Sequence, residues 1–230
     1  MGLTINHIRA DILNLATSGS NPIGFKISDN QIYYWVNQTR AMLISQDIQK
    51  RREISDIWVQ NITCLDLEEV DKSECCEVTT NCKLLRTSLT IPKTIETHSR
   101  NGIIRVLKTN GDSISEVGHG ESKYTKYTKY GKKSAKWYLK NNYIYIVDDD
   151  MLENISVYGI FDDPTSLSAY AACDGSTCYS IDNDYPCSLK MASDITNIVL
   201  KTKILPFLQI PSDTTNNAAS DPESNNVKIK

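Results

Sequence analysis

The stretch from position 28 to position 52 constrains the fold more than any other, because it writes out an amphipathic helix with its start and its stop. Ser28 is placed to cap the first turn, and Gln31, three residues on, completes a capping box. Ile32, Trp35, Val36, Thr39 and Leu43 return at helical spacing and form one apolar stripe. Lys50, Arg51 and Arg52 close the segment, where cations suit the negative end of the helix dipole. Such a stripe has to be covered by another element. No catalytic or metal-binding motif of comparable quality occurs elsewhere, so the chain reads as a part that packs against other parts rather than as an enzyme.

The flanking segments supply what could cover it. Residues 4–17 predict a first helix, capped by Thr4, with Ile5, Ile8, Ile12 and Leu15 on one face. The run Ser18-Gly19-Ser20-Asn21-Pro22 breaks it, and the short loop favours an antiparallel pair with the long helix. From residue 54 the period changes. Ile57-Trp58-Val59 and the run 62–67 are strand-like, followed by an acidic loop over 66–77 and a further extended stretch over 84–92. Residues 103–107 and 113–117 around Asn110-Gly111 predict a hairpin with a primed turn, and 137–139 and 143–147 around Asn141-Asn142 predict a second. The alternation of 155–161 adds another strand. Met191, Ile195, Ile198, Val199 and Thr202 bring back helical spacing over 190–204, limited by Pro206.

The expected fold class is therefore α+β: an N-terminal helical hairpin plus a C-terminal helix, packed with a mostly antiparallel β-rich central region. The expected boundaries are a helical layer at 1–53 joined by 188–206, a β-rich domain at 54–187, and an extended or disordered tail at 207–230. From 211 the chain is mostly Ser, Asn, Asp, Thr and Ala, which bury too little apolar surface to order themselves.

At 230 residues, 40% hydrophobic and 23% charged, the chain suits a globular protein with one good core. No run approaches the ~20 apolar residues of a membrane helix, so no membrane partner is expected. Arg9 and Asp11 interrupt any signal-like run, and Asn6 stands where myristoylation wants Ser or Thr. Assembly in a cytoplasm is the expectation. There the seven cysteines, an odd number, are expected to be thiols rather than bridges.

Chemical motifs are weak. Cys75, Cys76 and Cys82 form one group and Cys173, Cys178 and Cys187 another, with Cys64 apart; a four-thiolate zinc site would have to draw on both groups, and none has the close pairing of a zinc knuckle. Gly111-Asp112-Ser113-Ile114 looks like a hydrolase nucleophile block, but His119 is the only histidine after it, so Asn110-Gly111-Asp112 reads as a turn. Gly118-His119-Gly120-Glu121-Ser122 lacks the lysine and spacing of a phosphate-binding loop. Asp148-Asp149-Asp150 and Asp162-Asp163 stand at strand ends, where Asp is common in turns. No catalytic, cofactor or metal residue is assigned.

Charge patterning says more. No acid lies between Glu121 and Asp148, while Lys123, Lys126, Lys129, Lys132, Lys133, Lys136 and Lys140 all do, interleaved with Tyr124, Tyr127 and Tyr130. Asp66, Glu68, Glu69, Asp71, Glu74 and Glu77 form an acidic block elsewhere. One reading is a subunit interface in which the basic segment of one copy, Lys123 to Lys132, meets Glu68, Glu69 and Asp71 of the next, head to tail. A solvated lysine loop stands level with it. A nucleic-acid-binding module using the 123–140 segment is the alternative, and it ranks behind both because the net charge is −3.

Several strings, taken in order, resemble the neck proteins of crAss-like bacteriophage virions. They are Asn30-Gln31-Ile32-Tyr33-Tyr34-Trp35-Val36-Asn37-Gln38-Thr39-Arg40, then Ser88-Leu89-Thr90-Ile91-Pro92-Lys93, and the Lys/Tyr stretch before Trp137. Val157-Tyr158-Gly159-Ile160-Phe161-Asp162-Asp163-Pro164 follows, then Cys173, Cys178 and Asp184-Tyr185-Pro186. The resemblance covers most of residues 3–205. It implies a head-to-tail connector: a structural virion protein forming a closed homo-oligomeric ring of about twelve copies beneath the portal. It also implies a further tail or ring protein below, genomic DNA passing through the channel, and a tail at 211–230 that folds onto a neighbour. It brings no catalytic residues and no cofactor.

Overall fold

The computed structural model describes residues 2–17, 19, 27–51, 53–70, 84–96, 102–122, 134–147 and 151–208. The protein is α+β, as the sequence predicts. Helix α1 (Ile5–Ala16) starts where Thr4 accepts the backbone N–H of His7, while the His7 ring accepts the backbone N–H of Thr4. Ile5, Ile8 and Ile12 are buried, but Leu15 is 55% exposed and leaves the expected stripe. Helix α2 (Asp29–Arg51) is capped by the Ser28 hydroxyl, which accepts the N–H of Gln31 at 3.3 Å. Its buried face runs Ile32, Trp35, Val36, Asn37, Thr39, Arg40, Ile44 and Ile48. The stripe thus passes through Arg40 and Ile44, and Leu43 is only half-buried.

Helix α3 (Leu189–Val199) is capped by Ser188. It does not stop short of Pro206. It passes through a π-turn, Leu200–Ile204, into a short helical turn, Leu205–Leu208. Pro206 has no N–H to give to that course, and the wider π-turn lies immediately before its piece of it. The three helices pack on one another through Ile5, Ile8, Ile12, Ile32, Trp35, Val36, Ile44, Met191, Ile195 and Val199.

Seven strands form a closed barrel: β1 (Gln60–Glu69), β2 (Leu85–Thr87), β3 (Ile103–Lys108), β4 (Ser113–Glu116), β5 (Lys136–Lys140), β6 (Tyr143–Val147) and β7 (Asn154–Gly159). The order around it is β1-β2-β6-β5-β4-β3-β7, with β7 returning to β1. Every pairing is antiparallel except β4 with β5. Alternating positions fill the interior, among them Ile62, Leu65, Val106, Ile114, Trp137, Ile144, Ile146, Ile155 and Val157. The Trp137 indole donates to the carbonyl of Ile114 at 3.1 Å, so its one polar atom is satisfied inside the barrel.

Local details correct three expectations and bear out a fourth. Asp56–Trp58 is a 3-10 turn, not a strand, and the strand begins at Gln60. Asp66 to Glu69 belong to β1 rather than to a loop. The β3–β4 connection is not a primed turn: Lys108 N–H bonds the Asp112 carbonyl, and of the three loop residues only Gly111 has positive φ, at 89°. Asn141 and Asn142 do both have positive φ, 51° and 62°, so the second hairpin has the primed turn. Gly102 is required by crowding, since a Cβ there would lie 2.7 Å from the Ile95 carbonyl and 3.0 Å from that of Ile160. The expected tail from 209 onward lies outside the described residues.

Trp35 is 9% exposed and sits among the buried residues of all three helices. Trp35→Ala is expected to lower stability by about 3–5 kcal/mol in a urea titration; a midpoint equal to that of the parent would place the indole outside the core.

Candidate assembly surface and the junction behind it

Arg40 is fully buried at the seam where the helices meet the barrel. Its guanidinium donates to the carbonyl of Phe161 at 2.8 Å, of Pro186 at 2.9 Å and of Trp58 at 3.4 Å. Its carbon lies 5.7 Å from the centre of the Tyr185 ring. These acceptors stand just beyond β7, just before α3 and just before β1, so one side chain of α2 holds three chain segments. Burial lowers the Arg40 pKa, with Tyr185 and other neighbours opposing the shift; the group still carries its charge.

A second chain of bonds runs beside it. Tyr185 donates to the Asn37 amide oxygen at 2.7 Å, and the Asn37 amide donates to Asp163 at 2.8 Å. Asp163 also accepts the N–H and hydroxyl of Thr165 and caps the 3-10 turn Pro164–Ala169. Asp163 therefore serves as a turn and cap residue, as its sequence position indicates. The Asp162 carboxyl is raised by burial, while Arg40 and Lys93 pull it back.

On the outer side of this network lies an open cleft of ≈ 640 Å³ between α2 and the 161–165 segment. Tyr34 and Ile181 stand at its edge, 63% and 41% exposed, and Lys93, Asp162 and Asp163 supply charge. Aromatic and apolar side chains rimmed by mixed charge have the composition of a protein contact.

The sequence-predicted interface is only partly within the described residues. Lys123, Tyr124, Lys126, Tyr127, Lys129, Tyr130, Lys132 and Asp71 lie outside them. Glu68 and Glu69 are exposed at the end of β1. Glu68 pairs with Arg86 of β2 at 2.5 Å, and Arg86 lies over the Tyr143 ring at 4.6 Å. Glu69 has no ion pair among the described residues. Lys136 and Lys140, from the end of the basic run, sit half-buried on β5.

The cysteine expectation is corrected. Cys64, at a bulge in β1, is bridged to Cys173 with Cα atoms 5.1 Å apart, so these two are not thiols. The compartment argument could not foresee that the barrel brings together residues 109 positions apart. Cys178 and Cys187 are thiols. Cys75, Cys76 and Cys82 lie outside the described residues, and the bridge removes Cys173 from any four-thiolate set. Asp112 accepts from the Asn110 amide and donates its N–H back to that side chain, which is the turn expected there. The His119 ring stands edge-on to Tyr138 at 5.1 Å. No described helix is long and apolar enough to cross a membrane.

A model of the family described as phage tail ring protein 2 matches residues 10–224. No curated protein matches the sequence.

Two outcomes test the junction. Arg40→Met leaves three buried carbonyls without a donor and is expected to cost about 3–5 kcal/mol, read from denaturant midpoints; Arg40→Lys, which cannot reach all three, is expected to recover only part of the loss. The second concerns alkali. Burial pushes the Cys187 thiol from its ordinary 9.0 up to about 11 and the Tyr179 phenol from 10.0 up to about 12. Both hold their protons more tightly when folded, so the stability they contribute is complete below pH 9 and is lost as pH climbs through these raised values. Urea midpoints should therefore fall between about pH 9 and 12, and Cys187→Ala should delay the onset; a flat profile over that range would contradict the burial argument.

Proposed function

Since the chain belongs to the phage tail ring protein 2 family, structural ring components of bacteriophage tails, we propose that its copies close side by side into the ring that joins the portal to the tail. The ring has about twelve copies and surrounds the channel through which genomic DNA passes. The protein acts mechanically, as a virion component assembled in the host cytoplasm, and carries out no catalysis. The observation that carries this reading is the family match, which spans nearly the whole chain rather than one motif. The helical layer, residues 1–53 with 188–206, faces the portal and the β-rich part, 54–187, faces the next tail or ring protein. The open cleft of α2 with Tyr34 and Ile181 supports the first assignment, because it presents aromatic and apolar side chains to a partner. Head-to-tail closure pairs the basic 123–132 segment of one copy with Glu69 and Asp71 of the next, Glu68 being engaged by Arg86 within its own chain.

Electron microscopy of the particle, or of the chain mixed with its portal, tests the proposal directly. A ring of this chain at the capsid–tail junction is expected; density elsewhere in the virion overturns it. Within a ring so found, Glu69→Lys should weaken assembly and Lys129→Glu in the same chain should restore it. Each exposed pair contributes only about 0.2–1 kcal/mol, but the effect repeats at every interface around the ring.

A further inference from the structure

Two buried polar atoms, the Tyr179 hydroxyl and the Gln60 amide oxygen, have no hydrogen-bond partner among the described residues. Both line one open cleft of ≈ 550 Å³ between the start of β1, the 178–187 segment and the first turn of α3. Tyr179 is 5% exposed, so its hydroxyl is buried without a partner in a cleft wall. The mouth is apolar: Ile57 is 55% exposed and Leu189 77% exposed, with Leu3 and Val59 beside them. The one charged residue in the lining is Asp184. The site therefore calls for an extended peptide with apolar side chains on one side and a cation on the other.

The chain itself ends in such a peptide, Val227-Lys228-Ile229-Lys230, apolar and basic by turns, whereas residues 211–226 contain no Leu, Ile, Val, Met or aromatic residue. Reach decides which copy supplies it. Leu189 lines the cleft and opens α3, and the helical course ends at Leu208, about 29 Å away at the helical rise. The intervening residues, 209–226, would span about 23 Å on average at random-chain scaling and about 60 Å if extended. A linker whose natural span approaches the distance to be bridged gives a near-maximal effective concentration within one molecule. We propose that this cleft seats the chain's own C-terminal segment, Val227 and Ile229 against Ile57 and Leu189, with Lys228 or Lys230 facing Asp184. This goes beyond the ring assignment and does not rest on it.

The test uses the full-length chain with Ile229→p-benzoylphenylalanine, irradiated, digested and mapped by mass spectrometry. Adducts are expected on 57–61 and 178–189, in a product of monomer mass whose yield does not change on dilution. Leu189→Ser in the same chain should lower that yield by about tenfold, the loss of one apolar contact without a new charge. The position is exposed, so an unchanged thermal melt is expected, and Ile57→Ser provides a second exposed variant. Adducts scattered over the surface, yields indifferent to both substitutions, or a dimer-mass product that dilutes away would each overturn the proposal. None of these outcomes bears on whether a ring forms on the portal.

Discussion

A single guanidinium decides how the two halves of this protein meet. Arg40 leaves the apolar face of α2, is fully buried and binds three backbone carbonyls from three separate segments. Each carbonyl ends or begins an element: the turn before β1, the exit from β7, the approach to α3. Buried carbonyls have to find donors, and here one side chain supplies them all. Five N–H groups in a rigid planar fork make arginine the residue able to do so; lysine has a single point from which to donate. The charge is compensated by oriented carbonyl dipoles and by the face of Tyr185 rather than by a carboxylate in contact. The barrel and the helices are thus held in one relative placement by bonds of fixed direction, while Trp58, Ile95 and Ile160 add apolar contact around them.

The same junction brings together strings that lie far apart in the sequence. Asn37 and Arg40 lie in the first string, Phe161 and Asp163 in another, Tyr185 and Pro186 in the last. In the fold they form two parallel chains of hydrogen bonds, Arg40 to Phe161 and Pro186, and Tyr185 to Asn37 to Asp163. Residues separated by more than a hundred positions are bound to one another because each completes the others' hydrogen-bonding needs. A substitution that removes the side-chain partner at Asn37, Arg40 or Tyr185 strands a buried polar group, which is costly in a way that surface change is not.

Much of the local structure was legible. The caps at Ser28 and Thr4, the presence of the three helices and the turn at Asn141-Asn142 follow from neighbouring residues alone, and those are the features the structure reproduces; the capping box stands at Thr4 and His7. What was missed is non-local. Strand patterns do not reveal that β7 lies between β1 and β3, nor that β4 and β5 run parallel, because closure of a barrel depends on pairings far apart in the chain. Asn110-Gly111 satisfies a primed turn in composition, yet the register of β3 and β4 leaves three loop residues and needs only one positive φ. Arg40 was hidden by its type: a charged residue within the stripe of α2 reads as an interruption, although its position one turn after Val36 gave it away. The Cys64–Cys173 bridge was hidden by compartment reasoning, and the basic segment proposed for the interface lies outside the described residues.

A component of a tail ring has to keep its own shape when neighbours pack on it. Apolar contact alone resists separation but allows sliding, since dispersion and burial depend weakly on direction. Hydrogen bonds fail when tilted, so a buried fork bound to three fixed acceptors resists rotation of the helices over the barrel as well as their removal. The barrel adds to this by pairing each of its described strands on both sides, which leaves none of them as an edge for backbone pairing with another copy. Contacts between copies are then left to side chains and terminal segments rather than to backbone pairing. The exposed Tyr34 and Ile181 beside the first cleft are where such contacts have apolar area to bury, and the Arg40 junction lies behind that cleft and ends at Pro186 in the wall of the second.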